Sequence, residues 1–475
     1  MRYASLLTLL ASLCVVVQPS PLTAQPVDYG VTMEVAGATG STLPFWLHAN
    51  RGGLYGTDAP LVLTHLHAYR PTRRAWRLTL GFGVDLAARA ADGSSAVFAR
   101  HLYGRARYGP FVLTAGRAPH TAGLVDSTLS LGSMVLSPNA TPVPAVSLAF
   151  DDVRLATLPG DVRLFARGYF SHGWLENDRF VRSPYLHGKY LYLRIDGGDL
   201  LPATGYAGIN HYVVWGGTHP TLGPLPSDVD DFIDVVLAQA GDEGQAPGGE
   251  VINALGNTVA SYDFGLTIHL HRNRPHRLPA ILHRHQYRRI DFRNPWDGLW
   301  GVRLHWHHPD RLVRSILWEH VNTKRQGSRK DLNEPDGADN YYNNFLYRSG
   351  WTYMGRTLGL PLILPDPTGE RDGVVNNIIV AHHLGVEGQL MPRLAYRTLL
   401  TYSRNYGARD NCNDNGCFGE ATLITPRRDQ VSWLLELYGP LTPHLDLHAA
   451  LAFDAGAVHP DRAGLLLGIT WRPAR

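Results

Sequence analysis

Apolar and polar residues alternate along much of this chain. In WRLTLGFGVDLAA, residues Trp76, Leu78, Leu80, Phe82, Val84 and Leu86 fall on one side of a two-residue repeat, and Arg77, Thr79, Gly81, Gly83 and Asp85 on the other. Tyr262, Phe264, Leu266, Ile268 and Leu270 alternate in the same way with Asp263, Gly265, Thr267 and His269. Near the carboxyl end, Leu445, Leu447, Ala449, Leu451 and Phe453 oppose Asp446, His448 and Asp454. VSWLLELYG, DVRLFARGYF and KYLYLRID carry weaker versions. Side chains two apart share a face of a pleated strand, so each segment predicts a strand with one greasy and one polar side.

Alternation alone fits a soluble sandwich as well as a barrel. Three features favour a transmembrane antiparallel β-barrel. Several strands run nine residues or more, the length a tilted strand needs to cross a bilayer. The non-apolar face carries Gly, Thr, Asp, His and Arg, which suits a wet or plugged lumen. Trp76, Tyr262, Trp306, Trp433 and Trp471 read as aromatics near strand ends, where interfacial girdles belong. The final segment, GLLLGITWRPAR, puts Leu465, Leu467, Ile469 and Trp471 on one face almost at the terminus.

Helical periodicity is scarce. Ser227 reads as an N-cap, with Phe232, Val235, Val236 and Gln239 at helical spacing behind it. This predicts one short helix that plugs or lines the barrel. QAPGGE (245–250) and SPNATPVP (137–144) read as loops, the second because proline is excluded from central strands. No linker separates two domains.

The amino terminus, MRYASLLTLLASLCVVVQPSPLTAQ, has Arg2, then an apolar run from Leu6 to Val17, then a small-residue cleavage position at Thr23-Ala24. It predicts a cleaved secretory leader over residues 1–24, with residues 25–475 forming an outer-membrane barrel. No later run is apolar enough for a helical span. Cys412 and Cys417 lie in RDNCNDNGCFG and are candidates for one small loop disulfide in an exported protein. The Asp and Asn spacing there resembles a calcium loop, but Asn415 stands where glycine is needed and no Glu closes it, so no metal is expected.

Net charge is +3, which gives no electrostatic case for nucleic acid. Lysine occurs only at Lys189, Lys324 and Lys330, so nearly all positive charge is arginine. That fits genomic base composition, and it also suits forked contacts to carboxylates and stacking on aromatic rings. No nucleophile, zinc-protease or phosphate-loop motif is present, so neither enzyme nor cofactor is expected. The histidine clusters at 282–287, 305–308 and 381–383 read as lumen lining rather than metal ligands.

Several blocks together resemble the capsule-assembly (Wzi-type) outer-membrane family: LPFWLHANRGGLYG (43–56), LSLGSMVLSPNATPVP (129–144), SHGWLENDRFVRSPYLHGKYLYLRI (171–195), INHYVVWGG (209–217), NPWDGLWGV (294–302) and DNYYNNFLYRSGWTYMGRTLG (339–359). HRHQYRRIDFRN (283–294) departs from the family pattern in being basic. The resemblance implies a barrel of about 18 strands, plugged by loops and a small helical part, that holds capsular or other extracellular polysaccharide on the cell as a lectin-like anchor. Its partners are then that polysaccharide and outer-membrane lipid, and the protein is expected to be a monomer.

The block from residue 339 has two readings. Tyr341, Trp351 and their aromatic neighbours offer faces for sugar C–H surfaces, while Asn340, Asn343, Asn344, Arg348 and Arg356 offer planar groups for hydroxyls or acidic sugars. Trp46, Asn50 and Arg51 form a smaller set of the same kind. Alternatively, these residues knit a plug to the inner wall, since buried polar groups need partners. The main functional expectation is polysaccharide attachment; the alternative is a passive, porin-like diffusion channel. A hydrolase using a Ser–His pair is a third class, to which no particular residues point.

Overall fold

The computed structural model describes residues 27–92, 94–242, 246–247, 254–269, 276–285, 296–306, 308–326, 340–366, 373–409 and 421–473. The leader, Cys412 and Cys417 lie outside the described residues. Eighteen strands form one antiparallel sheet. In chain order they are β1 (Asp28–Ala38), β2 (Leu61–Arg70), β3 (Thr79–Ala91), β4 (Ser94–Tyr108), β5 (Phe111–Arg117), β6 (Ala145–Leu158), β7 (Val162–Trp174), β8 (Tyr185–Asp196) and β9 (Ala203–Trp215). The second half comprises β10 (Asn257–His269), β11 (His276–His285), β12 (Gly298–Trp306), β13 (Ser315–Asn322), β14 (Ile379–Met391), β15 (Leu394–Arg409), β16 (Ala421–Thr442), β17 (Leu445–Gly456) and β18 (Arg462–Trp471).

Each strand pairs with its neighbours in sequence, and β1 also pairs with β18, from Val31 opposite Trp471 to Ala38 opposite Gly464. The sheet is therefore a closed barrel. Closure is what a bilayer demands, because an open edge would leave backbone groups unpaired in hydrocarbon. Tight turns such as 109–110 and 392–393 join the strands at one rim, where β1 begins and β18 ends. At the other rim the connections are long, above all 39–60, 118–144, 216–256 and 323–378. Short turns on the periplasmic side and long loops outside are the rule for outer-membrane barrels.

The period-two expectation holds along the wall. Leu465, Leu467, Ile469 and Trp471 are 44–49% exposed on the outer face of β18, while Leu466 between them is buried inward. Phe264, Leu266 and Ile268 face out from β10, with Asp263 turned in. This greasy outer band places the protein in an outer membrane.

Two expected girdle residues, Tyr262 and Trp433, lie within their strands rather than near the ends. The reason is visible on β16, which outruns the membrane. Trp433 packs on Phe453 of β17 at 5.3 Å, and beyond it the same face turns polar, with Arg427 and Asp429 paired at 2.7 Å. The aromatic marks the edge of the lipid, not the end of the strand.

The hydrophobic core of the molecule lies inside the barrel. Loop 39–60, with its one-turn helix α1 (Phe45–His48), contributes Leu43, Phe45, Trp46 and Leu47. Loop 118–144 adds Leu129, Leu131, Met134 and Val135, and segment 340–366 adds Tyr342, Tyr347, Trp351, Leu360 and Ile363. Together these segments plug the lumen. Gly385 on the inner face of β14 lets one of them approach closely: a Cβ there would stand 2.8 Å from the Leu129 carbonyl oxygen.

The expected helix forms as α2 (Val229–Leu237), with two corrections. Its cap is Asp228, not Ser227: the Asp228 carboxylate accepts from the N–H groups of Asp230 and Asp231, and Asp231 reaches back to the Asp228 N–H. This reciprocal box satisfies two donors that Ser227, one residue too early, could not reach. The helix also neither plugs nor lines the lumen. It lies against the outer face of β7–β9, where Phe232 packs on Phe170, His172, His187 and Trp215.

Replacing the lipid-facing Leu467 with Arg is expected to cost about 2–4 kcal/mol of folding free energy if it sits near the bilayer midplane. Urea titration in liposomes measures it, with the inward Thr470→Ser change as the small-effect comparison.

Candidate functional site

The residues predicted to meet glycan are buried or half-buried in the plug. Trp351 is fully buried and donates its indole N–H to the Val135 carbonyl at 2.7 Å. Tyr341 donates from its hydroxyl to Asp297 at 3.2 Å. Asn340 accepts from the amide of Asn377 at 2.6 Å. Asn343 clasps Val374 in both directions, accepting its N–H at 2.7 Å and donating to its carbonyl at 2.9 Å. Asn344 caps a local turn by accepting the N–H groups of Leu346 and Tyr347. Arg348 lies with its guanidinium carbon 4.8 Å from the Phe180 ring centre. Arg356 donates to the carbonyls of His48 at 3.1 Å and Tyr55 at 2.6 Å, tying the third plug segment to the first.

The smaller set behaves alike. The Trp46 indole donates to Thr401 on β15 at 3.1 Å. Asn50, in the left-handed region at φ 54°, donates its amide to the Leu131 carbonyl at 2.7 Å. Arg51 reaches the wall at Glu436 on β16, 2.6 Å away. Of the two readings of these blocks, plug architecture accounts for what each side chain touches.

Glu436 anchors the plug. Its buried carboxylate receives Arg51 from the plug, a fork from Arg397 on β15, and His448 Nε2 at 3.2 Å from β17. His448 Nδ1 stands 2.7 Å from Glu34 on β1, which also accepts the Tyr55 hydroxyl. Two carboxylates, two guanidiniums, an imidazole and a phenol thus join loop 39–60 to strands β1 and β15–β17. Of the expected histidines, His383 faces inward between Thr401 and the Leu129 carbonyl, whereas His382 faces outward and stacks on Trp318 and His320.

Beside the plug a cavity of about 580 Å³ runs along the inner faces of β4–β9. Its walls carry Arg51, Arg100, Arg105, Arg107 and Arg397, with Asp151 as the acidic counterpart. From Arg100 to Arg107 the strand climbs roughly 20 Å at ~3.3 Å per residue, so the cations are strung from the plug toward the short-turn rim. Arg100 is the extra residue of a bulge, since Asp85 pairs with His101 and Leu86 with Ala99. The bulge turns its guanidinium onto Asp85. Arg107 pairs with Asp151 at 2.8 Å. Arg105 instead bonds Thr114 at 3.2 Å and lies 5.0 Å from the Tyr103 ring, with no carboxylate partner among the described residues.

Opposite stands an aromatic stack: His120 over Tyr169 at 4.1 Å, and Tyr169 over Tyr190 at 5.1 Å, nearly parallel. Burial, then the nearby Arg167 and Arg105, push the His120 imidazole down to about 4, so it is neutral at physiological pH. The sequence reading passed over this cavity. Its signal was present in RHLYGRARY, where Tyr103, Arg105 and Arg107 share the inward parity of a strand.

No family model matches the chain, and no curated protein matches it, so the capsule-assembly resemblance gains no support there. Among solved structures it is similar to the outer membrane protein OprD of Pseudomonas aeruginosa, at 9% identity over 94% of each chain with a TM-score of 0.43. It is similar to OccD3 of the same organism at 12% identity, over 94% of this chain and 91% of that one, with a TM-score of 0.38. A loop L8 deletion mutant of OmpT, an outer membrane protein of Vibrio cholerae, gives 8% identity, 94% and 98% coverage and 0.33. These scores reflect a shared outline and nothing finer. The expected attachment of polysaccharide is corrected: the side chains meant to meet glycan bond one another, the other plug segments and the inner wall.

Glu436→Ala leaves two guanidiniums buried without their shared carboxylate and is expected to cost about 3–5 kcal/mol, read as a lowered unfolding midpoint in detergent. A second test uses pH. Asp297, just ahead of β12, accepts the N–H of Gln326 at 2.6 Å; burial pushes its carboxyl up to about 6 despite this donor. A folded-state value above the unfolded 3.8 means its stabilising contribution is full below that value and lost as pH rises through about 6. Hydrogen exchange at 340–346 should quicken between these limits, and Asp297→Asn should flatten the dependence.

Proposed function

We propose that this chain is an outer-membrane channel of restricted bore that admits small anionic solutes, and not an enzyme. It reaches the membrane under its amino-terminal leader. The observation that carries the reading is the arginine-lined cavity beside the plug, and Arg105 above all. A guanidinium held by a threonine and a tyrosine ring, with no carboxylate on it among the described residues, keeps its positive field for whatever enters. The low-dielectric wall strengthens that field, and a lumen lined by one sign of charge concentrates the opposite ion. Arg107 and Arg100 are partly neutralised by Asp151 and Asp85, so they shape the path more than they attract.

The plug sets the bore. Segment 340–366 fills the lumen from the long-loop rim, leaving the cavity along β4–β9 as the route we assign to solute. Single-channel recording in planar bilayers tests the proposal: a small conductance, with a reversal potential on the anion side in a salt gradient. Arg105→Glu is expected to shift that potential toward cation selectivity without changing the fold. Absence of conductance, or a reversal potential indifferent to Arg105→Glu, overturns it.

A further inference from the structure

The outer wall carries an anomaly that the channel does not explain. On β7–β9 the outward-facing positions in the half toward the long-loop rim include His172, His187, Lys189 and His211, neighbours across the strands: His172 stands opposite His187, and Lys189 opposite His211. Outward positions on a barrel face acyl chains, where a basic side chain is costly. Helix α2 covers these residues. His187 is completely buried beneath it, and the Lys189 ammonium donates to the Val236 carbonyl at the helix carboxyl end, where a cation is favoured.

Covering the wall uses one side of the helix: Phe232 and Val235 pack inward with Val213, Trp215 and Leu255. A second apolar stripe remains. Val229, Ile233 and Leu237 are spaced four apart, and they are 74%, 46% and 59% exposed. Taking about 100° per residue from Val229 at zero, this stripe spans roughly 0–80°, the wall-facing residues centre near 270°, and Asp230, Asp234 and Asp231 fall between about 100° and 200°. The helix thus has three sides: one on the barrel, one apolar and open, one acidic.

We propose that α2 is an interfacial helix, lying along the outer leaflet with Val229, Ile233 and Leu237 sunk among its acyl chains and with Asp230 and Asp234 turned to water, while the buried Asp231 serves the cap. The occupant is lipid because the open stripe continues the lipid-facing surface: Phe232 packs on Phe170, which is itself 40% exposed in the outward band of β7, beside Leu191 and Ile209. A helix with one apolar and one charged side settles at the headgroup boundary. Two apolar sides about 130° apart let a helix touch a wall with one and a membrane with the other. Helix α2 then seals a basic patch of wall from hydrocarbon and adds its own greasy edge to the bilayer contact.

Site-directed spin labelling tests this in proteoliposomes of phosphatidylethanolamine and phosphatidylglycerol. The full chain is isolated from outer membranes with Cys412→Ser and Cys417→Ser, and carries one label at Ile233→Cys, Leu237→Cys, Asp230→Cys or, as the wall reference, Leu467→Cys. Labels at 233 and 237 should collide with oxygen severalfold more than with a water-soluble nickel chelate, as at 467, and the label at 230 should show the reverse. If 233 and 237 behave like 230, the stripe lies in water and the proposal fails. Spin–spin broadening at 233, signifying a second copy of this chain on the stripe, overturns it equally. These readouts are independent of conductance, so they stand whether or not the channel proposal does.

Discussion

Hydrocarbon offers a backbone amide nothing to bond to, and the architecture follows from that. A chain that crosses with strands must pair every one of them on both sides, so the first must meet the last. Here it does so along β1 and β18, from Val31–Trp471 to Ala38–Gly464. Once the sheet closes, its outer face can hold only what lipid tolerates, and the polar half of each alternating strand is forced inward. The lumen thereby inherits Glu34, Asp85, Asp263, Glu436 and Asp454, all buried.

A ring of buried carboxylates cannot be left alone, because an uncompensated charge in a low-dielectric interior is expensive. The plug supplies the compensation. Arg51 meets Glu436, the backbone N–H of Phe45 meets Asp454, and Ser130 and the N–H of Leu131 meet Glu319 on β13. Between these polar fastenings the loops pack Leu, Trp and Tyr against one another, which is why the largest apolar core sits where an open pore would hold water. The cavity persists along β4–β9, where Arg105, Arg107 and the tyrosine stack hold the wall apart from the loops.

The barrel was legible because its signal is repeated: eighteen strands obey one parity rule imposed by one solvent, and each long alternating run adds to the inference. The plug was legible as a cluster of Tyr, Asn, Arg and Trp, but not in purpose. Those side chains suit a sugar and suit each other equally well, and only knowing that Trp351 points at the Val135 carbonyl separates the two. The cavity was missed because its arginines are scattered over β4 and β15 with loop 39–60 and meet only through the fold. Helix α2 was legible in its 3.6-residue spacing, whereas its side of the wall depended on outward His172 and His187, which no sequence motif singles out.

Loop 39–60 follows immediately on β1, yet its fastenings reach β16 and β17, among the last strands in the chain. Those bonds can form only once the last strands are present, so a loop made near the start of the chain stays unfastened until the end arrives. A cork held by several separate stitches is released by loosening them one at a time, not by pulling it out whole.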